Sequence, residues 1–128
     1  MAIMIPEKPR TFDPKSREDI MFSALENLPD DYYVLHSFQI NKIKENNSLF
    51  ESEGDFVIFN RYKGILVLEA KATRAYYSQR TWYYGSGREM QNGGPFEQAR
   101  RTMHAIKKRM EQQKMNDIIS RCKFLYAV

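Results

Sequence analysis

The sequence predicts an α/β sandwich in the order αβββαβ, with a central mixed sheet flanked by helices. Three observations predict it. An apolar helical face (Met21, Ala24, Leu25, Leu28) precedes three segments rich in β-branched and aromatic residues. A second amphipathic stripe follows at helical spacing, formed by Phe96, Ala99, Met103, Ile106 and Met110. The chain then closes on an apolar, strand-like segment, Cys122 to Val128. A meander followed by a helical crossover makes the sheet mixed.

Each element has its own signal. Residues 1–14 carry Pro6 and Pro9 without a period and are expected to be an arm, with the domain running over 15–128. Asp13-Pro14 marks a helix start, since proline is tolerated in the first turn. Leu28-Pro29-Asp30-Asp31 stops that helix. Tyr32 to Ile40 is expected as a strand, and residues 41–52 as a polar loop. Asp55–Phe59 and Ile65–Lys71 are expected as two further strands, joined by the short loop Asn60–Gly64. The stretch from Ala72 to Gly94 is rich in Tyr, Arg and Gly, with a short strand expected around Trp82. Gly93-Gly94-Pro95 opens the second helix, and residues 116–120 fit a helical turn.

Composition narrows the class. A chain of 128 residues allows one domain, and its one cysteine, Cys122, excludes an internal disulfide. No apolar run approaches the ~20 residues that span a bilayer, and the first ten residues do not have the pattern of a signal peptide. No membrane partner and a cytoplasmic location are therefore expected. The charge is divided unevenly. Residues 1–70 hold 8 basic and 12 acidic side chains, whereas residues 71–128 hold 12 basic and 4 acidic ones. A basic half suits a polyanion, because each Lys or Arg set against a phosphate releases counterions. A solvated basic helix face is the plainer alternative.

The chemistry-bearing residues lie on the expected hairpin. With the turn centred on Tyr62, Phe59 faces Ile65, Val57 faces Val67, and Asp55 faces Glu69 on one side of the sheet. Directly opposed carboxylates repel, and acids are poor strand formers. A hard divalent cation, Mg²⁺ or Mn²⁺, would offset the repulsion. Lys71 lies one strand period beyond Glu69, within reach of the same ion's water. The alternative is that Lys71 simply pairs with one of the acids at a solvated strand end. Glu18 precedes Met21 by three on the apolar side of the first helix, where it either points toward the sheet or serves the helix dipole. Gln98, in the first turn of the second helix, is either a hydrogen-bonding site residue or ordinary surface. His36 and His104 have no third ligand at metal spacing and are expected at the surface or core edge. No phosphate loop, serine-nucleophile signature or zinc set is present.

An acid on one strand and acid-x-Lys on the next resembles the PD-(D/E)XK nuclease superfamily. Several segments together resemble the nuclease-related domain (NERD) family. These are Glu18, Leu28-Pro29-Asp30-Asp31-Tyr32, Glu53-Gly54-Asp55, Gly64 through Lys71, Trp82, and Pro95-Phe96-Glu97-Gln98-Ala99. Ala70 and Ala72-Thr73 depart from the residues commoner around that lysine. The resemblance implies a restriction-endonuclease-like core. It also implies a metal held by Asp55, Glu69, the Ala70 carbonyl and Glu18, with Lys71 acting on the attacking water and Gln98 in support. A fused or associated helicase-like module is a further implication, and whether the chain is a piece of a longer protein is left open.

Two functions of different class follow. One is a metal-dependent endonuclease, acting on DNA ahead of RNA. The other is a non-catalytic nucleic-acid-binding or assembly module. In either case Arg74, Arg80, Trp82, Arg88, Arg101 and Lys108 are the expected nucleic-acid contacts, phosphates being held without reading sequence.

Overall fold

The structure is a computed structural model that describes residues 1–8, 16–43, 49–71 and 74–128, with the backbone alone for residues 39–43, 49–54 and 92. Its strands are β1 (Ile3–Ile5), β2 (Tyr32–Ile43), β3 (Leu49–Asn60), β4 (Gly64–Leu68), β5 (Ala75–Ser78), β6 (Thr81–Tyr84) and β7 (Phe124–Ala127). Its helices are α1 (Glu18–Glu26), α2 (Pro95–Gln112) and α3 (Asn116–Arg121), with a 3₁₀ turn at Gln91–Gly93. The main sheet runs β1-β2-β3-β4-β7. Its two outer pairings are parallel and the β2-β3-β4 meander is antiparallel. This is the expected mixed α/β sandwich with a restriction-endonuclease-like core.

Strand alternation sorts the core into two layers. Val57, Ile65 and Val67 pack against Ala99, Met103 and Ile106 of α2. Val34, Phe56 and Ile58 face the other way, against Phe22 of α1 together with Ala2 and Met4. The expected stripe of α2 is therefore its buried face, except that Phe96 stays 45% exposed. In α1 the buried side chain is Phe22 rather than Ala24, which is exposed.

The Asn60 side chain builds the β3–β4 turn. Its Oδ1 accepts from the backbone N–H groups of Tyr62 (2.9 Å) and Lys63 (3.1 Å), and its Nδ2 donates to Asp31 Oδ2 (3.0 Å). Gly64 closes the turn at φ 110°, where a Cβ would collide with the Lys123 carbonyl of the neighbouring chain segment.

Three expectations need correction. Residues 3–5, placed in an arm, form β1 alongside β2 in the pairing Met4↔Val34. Residues 41–43 and 49–52, placed in a loop, extend β2 and β3, because the antiparallel ladder continues out to Ile43↔Leu49. Pairing across the ladder outweighs the polar composition there. The strand expected to reach Lys71 leaves the ladder after Leu68. The helix start at Asp13-Pro14, the centre of the expected loop (residues 44–48) and Ala72-Thr73 lie outside the described residues.

Candidate active site

The β3–β4 register is the one expected from the hairpin, with Phe59↔Ile65 and Val57↔Val67, and its last paired rung is Phe56↔Leu68. Asp55 and Glu69 are the next residues outward, at the point where the two strands part. The ladder between β2 and β3 also skips Asp55, opposite which Ser37 takes φ 53°. Asp55 therefore has neighbours on both sides that leave regular pairing. Its carboxylate Oδ2 accepts the Ala70 N–H at 2.8 Å, a donor that a continuing ladder would have given to a carbonyl. On its other side Glu69 still donates its N–H to the Ala127 carbonyl, at 3.0 Å.

Glu69 is the chemically unusual group. Its side chain is 4% exposed, Oε1 lies 3.2 Å from Lys71 Nζ, and Oε2 is buried without a hydrogen-bond partner. Loss of water pushes its pKa up most, and the charge of Asp55 adds to that. Lys71 opposes both, and the acid still stands at about 7. A carboxylate in this position invites one of two remedies, a proton shared with Asp55 or a cation between the two acids. Lys71 itself is a quarter exposed (26%) and so reaches from the buried acid toward solvent.

Glu18 goes elsewhere. Its Oε2 lies 2.9 Å from His36 Nε2, and the His36 side chain is 2% exposed. The imidazole sits between Phe22 (5.8 Å, edge-on) and Phe56 (5.0 Å), in the layer under α1. Asp55 and Glu69 instead share strand parity with Val57 and Val67, which pack under α2. Among the described residues no three His, Cys, Asp or Glu side chains gather into one metal-binding group. The structure thus brings Asp55, Glu69, Ala70 and Lys71 together and joins Glu18 to His36. His36, expected at the surface or core edge, is buried. Its two-residue offset from Val34 already placed it on the α1 face of β2, but the sequence carries no sign of its partner.

The remaining candidates lie around α2 and the β5–β6 hairpin. Gln98 is exposed in the first turn of α2, its N–H bonded to the Gly94 carbonyl. Arg74, Arg80, Arg88, Arg101, Lys108 and His104 are exposed. Arg101 Nε lies 3.6 Å from Glu97 Oε1 and Arg88 lies over the Tyr84 ring. Trp82 is half-buried and packs over Gly94, with Phe96 at 5.7 Å.

A mixed sheet crossed by α2, with an acidic pair and a lysine where two central strands diverge, defines a nuclease-related α/β protein. A family model of the nuclease-related domain matches residues 14–125, and the chain belongs to that family, NERD. No curated protein and no solved structure gives a match. Among the described residues no helix is long and apolar enough to cross a membrane.

Proposed function

We propose that this chain is a divalent-metal-dependent nuclease that hydrolyses phosphodiester bonds, of DNA ahead of RNA. The observation that carries the reading is the Glu69 carboxylate, buried with one oxygen unpartnered beside Asp55. Leaving a buried carboxylate oxygen unpaired costs stability, and a cation between the two acids would remove that cost.

The donor set fits a hard cation. Asp55 and Glu69 supply carboxylate oxygens and Ala70 a carbonyl, the ligand types that Mg²⁺ and Mn²⁺ take. The Ala70 N–H bond to Asp55 fixes that carboxylate in place. A bound ion of this kind neutralises phosphoryl oxygens and makes water nucleophilic near neutral pH. Lys71 is not a ligand, since an ammonium has no lone pair to offer. Held by Glu69 and open to solvent, it orients the attacking water or the scissile phosphate. Gln98 supports the substrate side, and Glu18, fixed by His36, stands as a supporting acid on the α1 layer. Arg101 and Lys108 on α2 hold backbone phosphates.

The Lys71–Glu69 ion pair also suits a non-catalytic nucleic-acid-binding module, in which the lysine only neutralises the acid. Lys71→Ala separates the two. The nuclease should still bind metal and nucleic acid but cleave about a hundredfold more slowly or worse, the usual cost of losing one positioned charge or proton-transfer group. Lys71→Arg should not restore the rate, because a guanidinium keeps its proton and differs in shape. Equal cleavage by wild type and Lys71→Ala removes Lys71 from the mechanism. No cleavage by wild type with any divalent metal favours the module.

A further inference from the structure

The β5–β6 hairpin presents an exposed aromatic surface that is also cationic. All four residues of β5 are exposed, Tyr76 by 45% and Tyr77 by 58%. Tyr76 stacks across the hairpin on Tyr83 with ring centroids 5.2 Å apart and planes 18° from parallel. Tyr77 leans on Trp82 at 5.3 Å on the opposite side. An exposed ring costs solubility, so two of them on a four-residue strand, one on each face of the hairpin, ask for an occupant that reaches both.

The hairpin is preorganised. Trp82 anchors it to the start of α2 through Gly94 and Phe96. The N–H groups of Gly85, Tyr84 and Met90 bond the carbonyls of Arg74 (2.7 Å), Arg88 (2.8 Å) and Trp82 (2.8 Å). These bonds fold Arg74 and Arg88 onto the hairpin's flanks, while Arg80 sits in its turn. The ion pairs among the described residues involve none of the three arginines. An open groove of about 720 Å³ is lined by Arg80, Trp82, Arg88 and Met90, and by one acid, Glu89.

Its place in the fold also matters. Lys107, late in α2, lies over Phe124, which pairs with Ile65 at the start of β4. Pro95, at the start of α2, lies twelve residues earlier, about 18 Å along the helix axis from that contact. The hairpin docks on that helix start through Trp82, and its first residue, Ala75, follows Lys71 by four residues in the chain.

We propose that the β5–β6 hairpin grips single-stranded nucleic acid, the strand crossing the edge of β5 so that unpaired bases stack on Tyr76 on one face and on Tyr77 on the other, with phosphates lying against Arg74, Arg80 and Arg88. This deepens the nuclease reading and rests on it for the identity of the polymer. The physical reason for the single strand is that a duplex hides its base faces, so exposed rings offer it nothing beyond what arginines give. An unpaired base offers a π-face whatever its identity. Arginine adds cation–π contact as well as charge.

The test is equilibrium binding by fluorescence anisotropy in EDTA, so that cleavage plays no part. The probes are a labelled oligothymidine and a duplex of equal length. Tyr76→Ala and Tyr77→Ala should each weaken single-strand binding about tenfold, while duplex binding changes less than about twofold. Tyr76→Phe and Tyr77→Phe keep the rings and should bind the single strand as wild type does. Unchanged melting temperature and far-ultraviolet circular dichroism would show that the alanine variants are folded. Tighter binding of the duplex than of the oligothymidine by wild type would overturn the proposal. So would equal losses for both probes, or alanine variants indistinguishable from wild type. Single-strand binding of the expected pattern by a protein that cleaves nothing would sink the nuclease reading and leave the grip standing.

Discussion

Replacing Glu69 by Gln should make the metal-free protein more stable at alkaline pH while abolishing its response to metal. In the native state this acid titrates near 7, raised from 4.5, chiefly because it is buried and next to Asp55. Its folded pKa is above the unfolded one, so between those values the native state holds more protons than the unfolded chain. Stability therefore falls as pH rises from about 4.5 through about 7. At about 1.4 kcal/mol for each pH unit, the span amounts to on the order of 3 kcal/mol. Glutamine keeps the shape and carries no charge, so it avoids this cost. In EDTA at about pH 8 the variant should melt on the order of 10 °C above wild type, and at about pH 4 the two should nearly coincide. With Mn²⁺ the order should change. Wild type gains stability from an ion bound only in its native state, and the variant gains little. Thermal unfolding at two pH values, with and without metal, measures all four terms. A difference between variant and wild type that is the same at both pH values would refute the argument, because it would mean that Glu69 is not forced to ionise in a buried site.

Asp55→Ala should remove most of the Mn²⁺- or Mg²⁺-dependent rise in melting temperature, measured by the same scans, and should also free the Ala70 N–H that Asp55 now accepts. Binding to nucleic acid should weaken steeply with salt, and Arg101→Ala or Lys108→Ala should each lower the slope of log K against log salt by about one. An unchanged slope would take that residue out of the phosphate contact. Gly94→Ala should lower stability by roughly 1–3 kcal/mol. The residue sits at φ 90°, and a Cβ would stand 2.5 Å from Trp82 Cδ1. Trp82 is the sole tryptophan in the sequence, so a shift of its emission reports whether the hairpin has lifted from α2.

Much of the acidic site was legible in the sequence because it depends on local geometry. A strand alternates with period two, and the short Asn60–Gly64 connection leaves one register that keeps Val57, Ile65 and Val67 on a single face. Once those three are aligned, Asp55 and Glu69 must come next to each other, and Lys71 follows by parity. The α2 stripe was legible for a similar reason, since Ala99, Met103 and Ile106 repeat within one helix. What only the tertiary structure decided are pairings between segments far apart in the chain. Glu18 and His36 carry no shared period, and their contact depends on how α1 lies across β2. β1 is three residues long, too short to show alternation, and exists because β2 offers it an edge. The long β2–β3 ladder overrides a polar stretch because each rung is supported by its neighbours. Burial completes the site in the same way. The sequence placed two acids side by side, but burial in the folded chain removes the water of Glu69, and that desolvation makes it a group waiting for a proton or a cation.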